Sequence, residues 1–186
     1  MEPIVLKTKR ELDIFVNPQR QNIIRFLRIT GKPMTPKQIS GRVGVSPSSV
    51  QHHIRQLLSI GVVEPDHTES VRGITARYYR LSPRPVSIGM DREDGLQEQR
   101  LAVLQSAAAH ALSGLAEYSV RKSPGAKPEE PFGDMMYGVL RLEDSQAKEL
   151  YALIRDFLQT HETGPATSRA WEYALIAYPV DEETHE

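Results

Sequence analysis

Between residues 17 and 61 the apolar positions recur at three- and four-residue spacing in three short bursts. Each burst opens on a polar residue followed by proline and closes at or near a glycine. The openings are Asn17-Pro18, Thr35-Pro36 and Ser46-Pro47; the closings are Gly31, Gly44 and Gly61. A side-chain oxygen at the first position accepts a free N–H of the first turn, and proline in the next position loses no hydrogen bond there. Glycine ends a helix because it takes the left-handed conformation without steric cost. The pattern therefore predicts three helices. The first buries Ile23, Ile24 and Leu27, with Phe26 a further candidate. The second, PKQISGRV, presents Ile39 and Val43 on one face. The third is SSVQHHIRQLLSI. Upstream, IVLK (4–7) reads as a short strand and residues 10–15 as one or two helical turns.

After Gly61 the period changes to two. VVEPDHTES and ITARYYRLS are extended runs rich in β-branched and aromatic residues, joined by the tip SVRG. Pro65 marks the first run as an edge strand or a bulged one. In the second, Tyr79 and Leu81 share one face while Tyr78 and Arg80 take the other. Residues 82–95 hold two prolines, two glycines and mixed charges and read as a linker. Residues 96–120 form one amphipathic helix. Residues 121–134, with three prolines and two glycines, read as a second loop. A strand (MMYGVLRL, 135–142), a helix (145–162) and a strand (AWEYALIAYPV, 170–180) are expected beyond it, followed by an acidic tail.

Composition narrows the chemistry. The chain of 186 residues has no cysteine, which excludes disulfides, thiolate metal sites and cysteine nucleophiles. No apolar run is long enough to span a bilayer, and the first residues do not resemble a secretory signal, so a soluble cytoplasmic protein without membrane contact is expected. The net charge of −1 conceals a division. Residues 1–90 carry 14 Lys and Arg against 6 Asp and Glu; residues 91–186 carry 9 against 18. A basic half is suited to a polyanion. No phosphate-binding loop, dinucleotide fingerprint, zinc-protease motif or nucleophile elbow occurs, so no catalytic residues, cofactor or metal site are expected. The six histidines are scattered. The adjacent pair His52-His53 diverges by about 100° on a helix and cannot share one metal.

The third helix carries the functional signal. Val50, Ile54 and Leu57 lie on one side, with Leu58 and His53 at the margins. Ser48, His52 and Arg55 lie opposite, flanked by Ser49, Gln51 and Gln56. The outward face offers hydroxyls, amides, an imidazole and a guanidinium, the groups that bond base edges and phosphates. No acid occurs from Pro47 to Val63, where a carboxylate would repel phosphate. Arg72 at the hairpin tip is placed for a minor-groove or backbone contact. Lys37, Arg42, Arg77 and Arg80 are candidates for further phosphate contacts.

The stretch NPQRQNIIRFL…MTPKQISGRVGVSPSSVQHHIRQLLSIGVVEP…RYYRLSP resembles the ArsR-type winged helix-turn-helix transcription regulators over about residues 9–83. Ser46, Ser49, Val50, His53, Leu57, Gly61 and Val63 stand at the places of that family's recognition-helix pattern, and Ile54 replaces the usual leucine. The resemblance implies a homodimer on double-stranded DNA, reading a near-palindromic operator with one third helix per half-site, about one helical turn apart. The chain departs from the family's cysteine metal-sensing motif. In the helix 96–120 only His110 and the distant Glu98 and Glu117 offer other ligands.

That helix carries Leu101, Leu104, Ala108, Ala111, Leu115 and Tyr118 at alternating spacings of three and four, the rhythm of a coiled-coil seam. It reads as a dimerisation helix or as an amphipathic helix packed on its own chain. Residues 170–180 are apolar on both faces, so a strand there must be covered twice. By the family's domain order, an effector or oligomerisation module stands here, with room for a small-molecule effector that the residues do not name. The expectation is an α+β protein. Residues 1–85 form the winged helix-turn-helix DNA-binding domain, 86–121 the linker and dimerisation helix, and 135–180 the strand-helix-strand module. The alternative is a winged-helix scaffold whose acidic half binds a protein partner.

Overall fold

The computed structural model describes residues 2–71, 73–122, 133–161, 164 and 167–180. The chain divides into two compact units, residues 1–107 and 108–186.

In the first unit a two-residue strand β1 (Ile4–Val5) leads into helix α1 (Lys9–Val16). Helices α2 (Pro18–Thr30), α3 (Pro36–Val43) and α4 (Pro47–Ser59) follow. Each of these three begins where its polar-proline pair predicts. Asn17, Thr35 and Ser46 accept hydrogen bonds from the backbone N–H groups of Arg20, Gln38 and Ser49. Gln38 answers with its own side chain on the Thr35 N–H at 2.8 Å, completing a capping box. Strands β2 (Val63–Val71) and β3 (Ile74–Leu81) form an antiparallel hairpin whose register shifts between Pro65 and Thr68. Proline has no N–H for the ladder, and the bulge absorbs that loss. The backbone of Met34 exchanges two hydrogen bonds with Tyr79, each 2.9 Å, which ties the hairpin to the connection between α2 and α3.

One core serves all of these elements. Leu12, Ile23, Ile39, Val50, Ile54, Leu57, Val63 and Tyr79 are buried together. Burial of an aliphatic side chain stabilises by about 1.5–3 kcal/mol.

The expected linker at 82–95 is drawn into this unit instead. Strand β4 (Val86–Ser87) pairs in parallel with β1, and Ile88 and Leu96 pack against the core. Helix α5 (Gln97–Lys122) then begins. Its Val103 is buried in the same core, and its Arg100 is fully buried. The Arg100 guanidinium donates to both carboxylate oxygens of Asp94 at 2.6 Å and to the Ile88 carbonyl at 2.8 Å.

The second unit holds the rest of α5 and helix α6 (Asp144–Thr160). The strands expected at 135–142 and 170–180 are not formed: both segments are irregular and exposed. A strand needs a hydrogen-bonded neighbour, and a strand apolar on both faces needs two covers. The Tyr151 hydroxyl of α6 donates to the Ala177 carbonyl at 2.5 Å. No residue of α6 is buried. Among the described residues no helix is long and apolar enough to cross a membrane.

Candidate nucleic-acid interface

The site is built around the turn from α3 to α4. Gly44 closes α3 at φ 72°, and its N–H donates to the Ser40 carbonyl. A side chain at that φ would meet its own backbone, so glycine permits the sharp reversal. Val45 then packs against the core, which holds the turn down. Ser46 caps α4 and lies 3.0 Å from the Ser48 hydroxyl and 2.9 Å from that of Ser49. The Ser46 hydroxyl, expected at a DNA contact, is thus committed to the helix start.

Burial of Val50, Ile54 and Leu57 fixes the rotation of α4 about its axis. Ser48, Gln51, His52 and Arg55 are left exposed, and Ser49 and Gln56 half-buried. These residues form one surface, as their helical spacing predicts. Lys37 and Arg42 are exposed on α3, and Arg77 is exposed on β3. Arg72, assigned to the hairpin tip, lies outside the described residues.

The hairpin corrects a second expectation. Arg80 sits opposite Glu64 in the ladder and contacts it at 2.7 Å, with a further contact to Asp66 at 3.2 Å. Its charge is met inside the hairpin and is not free for phosphate. Tyr78 donates to Glu69 at 2.8 Å, and that hydrogen bond raises the phenol pKa. The His67 ring stacks on Tyr78 with centroids 4.3 Å apart. Between Val63 and Leu81 the chain carries three acids and three arginines, so the hairpin is charge-balanced rather than basic.

The positive field comes from the helices. From Ile14 through Val63 the chain has no Asp or Glu and seven Lys and Arg. This acid-free stretch covers α2, α3 and α4 entirely, well beyond the third helix alone, and was visible in the sequence as an uninterrupted run. Not all of these cations face solvent. Arg20 donates to the carbonyls of Asp13 and Ile14, closing the end of α1, and burial lowers its pKa. His53 is half-buried beside His52, and its Nδ1 has no hydrogen-bond partner in the described structure. Desolvation, helped by the Arg20 and His52 charges, lowers the His53 pKa below the ordinary 6.5. His53 therefore stands half-buried at the edge of the core, where burial disfavours its charged form.

The dimerisation stripe divides along α5. Leu101 and Leu104 are 51% and 42% exposed, while Ala108, Ala111, Leu115 and Tyr118 are half-buried. Periodicity missed Arg100 and its partner Asp94, because neither a buried arginine nor a six-residue separation belongs to any repeat.

Three capped helices, a tight glycine turn and a tethered hairpin form a helix-turn-helix unit. Residues 15–66 match a protein-family model described as a helix-turn-helix domain. No match was found among curated proteins.

Proposed function

We propose that this protein is an ArsR-like transcriptional regulator. It works in the cytoplasm as a homodimer and reads a near-palindromic operator through α4, with β2–β3 as the wing. The observation that carries this reading is the outward face of α4. Ser48, Gln51, His52 and Arg55 stand exposed together with no carboxylate among them, on a helix rotated into place by three buried aliphatics. Arginine reads guanine edges, and glutamine and serine complete the set for a major groove. Lys37, Arg42, Arg72 and Arg77 supply phosphate contacts. The stripe from Leu101 to Tyr118 joins two copies, as a palindrome requires. Residues 135–180 form the module through which association or a small-molecule effector acts.

Selection of bound sequences from a random duplex pool tests the reading. A palindromic consensus is expected, with affinity falling steeply as salt rises. Arg55→Ala or His52→Ala relaxes preference at individual base pairs, at about 1–3 kcal/mol each. Lys37→Ala or Arg77→Ala weakens all sequences alike and lowers the salt slope by about one. Enrichment of no sequence, or binding that survives Arg55→Ala and His52→Ala unchanged, overturns it.

A further inference from the structure

We propose that Arg100 is a positioning residue: held by Asp94, it fixes the direction of the first turns of α5 relative to the reading helix α4, and so sets the one half-site spacing that the dimer accepts. This rests on the operator reading above and goes beyond it by naming what sets the spacing.

The joint lies wholly within the first unit. The Ile4 and Leu6 N–H groups donate to the Pro85 and Ser87 carbonyls at 2.8 and 2.9 Å. Arg84 reaches back over the same pairing and donates to the Glu2 and Pro3 carbonyls. The chain then turns at Gly89, φ 65°, whose carbonyl accepts from the Arg92 N–H at 3.1 Å. A Cβ on Gly89 would stand 2.6 Å from Arg92 Cδ, so the turn is closed against its own side chain. Asp94 is gripped from three sides. Arg100 gives it two hydrogen bonds of 2.6 Å, and the Arg92 Nε and the Leu96 N–H give one each at 3.2 Å. Arg100 also donates to the Ile88 carbonyl. One guanidinium thus ties the chain before the turn, the chain after it and the helix that carries it. A planar fork with fixed donor directions holds an angle, where an ammonium holds only a distance. Burying a guanidinium gains little stability over an apolar residue of similar size; what the fork adds here is a single orientation.

Val103, three residues on, is buried in the core beside Phe15 and Val16 of α1. Arg100 and Val103 together fix the rotation of the first turns of α5. On the adjacent face Leu101 and Leu104 stay open, and they begin the seam assigned above. Helices α1 and α2 pack in turn on α4. The path from the reading face to these leucines is therefore packed structure throughout. In a twofold dimer the distance and angle between the two α4 helices are set by the path from each to the axis. One extra base pair moves the half-sites apart by about 3.4 Å and turns one by about a tenth of a revolution. With a stiff joint that misfit falls on the DNA, which resists bending and twisting. With a loose joint the protein absorbs it.

The test uses full-length protein and the consensus from the selection above. The duplex is presented intact, as a single half-site, and with one base pair inserted or removed between half-sites. The native chain is expected to bind the altered spacings about tenfold more weakly or worse. Asp94→Asn and Arg100→Met, held below their melting transitions, should bind the single half-site as the native chain does and accept the altered spacings within about threefold of the intact one. Arg100→Lys should fall between. Asp94→Asn, at the rim of the joint, carries the test alone if Arg100→Met does not fold. A second readout needs no DNA. The chain has no cysteine, so spin labels at Lys32→Cys and Gln105→Cys, both exposed positions, report the joint. Dilution into unlabelled chain confines the measurement to one protomer. One narrow distance is expected in the native background and a broad distribution in both variants. Variants that keep the native spacing preference, or a native chain indifferent to spacing, overturn the proposal. So does a label distance that stays narrow. So does loss of half-site binding in a folded variant, which would put Arg100 in the service of the reading face. Each of these failures leaves the operator reading standing. A native chain that selects no sequence sinks that reading, and this proposal with it.

Discussion

The two units are built from similar apolar vocabularies and end in opposite states. In residues 1–107 the aliphatics of α1, α2, α3, α4, β2 and β3 close on one another, and the buried core lies between Ile4 and Val103. In residues 108–186, α6 buries nothing, although its stripe is as regular as that of α4. Amphipathic periodicity states that a face needs cover; it does not state whose face covers it. In the first unit the covering elements are neighbours in sequence, joined by turns of a few residues. In the second, α6 is accompanied by two irregular, exposed segments rich in apolar residues, and no described element closes over them.

The largest test of this contrast sets one buried residue against one exposed residue. Ile54 is 1% exposed in the first core and Phe157 is 63% exposed on α6. Ile54→Ala is expected to cost about 2–5 kcal/mol, read as a lower urea midpoint that is the same at every protein concentration. Phe157→Ala is expected to cost under about 0.5 kcal/mol at the lowest concentration and more as the protein associates. Should Phe157→Ala match Ile54→Ala in dilute solution, the second unit has a core of its own and the contrast is void.

The helices and their ends were legible because their signals are local. A cap, a proline and a glycine act within one turn, so Asn17, Thr35, Ser46 and Gly44 take the places their spacing assigns. The outward face of α4 was legible for the same reason: once Val50, Ile54 and Leu57 are buried, helical geometry decides where Ser48, His52 and Arg55 stand. Charge pairing in the hairpin was hidden, because Arg80 meets Glu64 only in the register that the bulge after Pro65 leaves. The docking of 86–107 was hidden too. It depends on a two-residue parallel pairing between β1 and β4 and on the ion pair of a buried arginine with Asp94, neither of which has a period. The strands of the second unit were read from pattern alone, and among the described residues neither segment joins a ladder.

A middle-sized effect examines how α5 is fastened to the first unit. Hydrogen bonds from Arg100, and then from Arg92 and the Leu96 N–H, hold the Asp94 carboxyl well below the usual carboxylate range. Asp94→Asn leaves the Arg100 guanidinium buried with the Ile88 carbonyl but without its hydrogen-bonded carboxylate. Removing one partner of a buried pair is more damaging than removing both. A fall in Tm of roughly 5 °C or more is expected in thermal denaturation, with amide protection lost first in β1, β4 and the opening turns of α5. The pH dependence follows from the same carboxyl. Its folded pKa lies below its unfolded one, so the unfolded chain binds the extra proton. The stability it contributes is present above the ordinary value of 3.8 and is lost as pH falls below it. Asp94→Asn removes that acid-side slope. A variant with unchanged Tm makes the ion pair incidental and lets the start of α5 swing free of the first unit.

The smallest effect concerns the border between core and interface on α4. His53 places one ring atom against the core without a partner, beside the Arg20 and His52 charges. Its folded pKa is lowered, so protonation favours the unfolded chain. The contribution of the neutral ring is full above about 6.5 and declines as pH drops through that value toward the lower folded pKa. Urea midpoints at pH 8 and pH 5.5 should therefore differ more for the native chain than for His53→Gln, which cannot titrate. An unchanged pH dependence in His53→Gln would show that this ring is not desolvated and stands on the outward face instead of at the edge of the core.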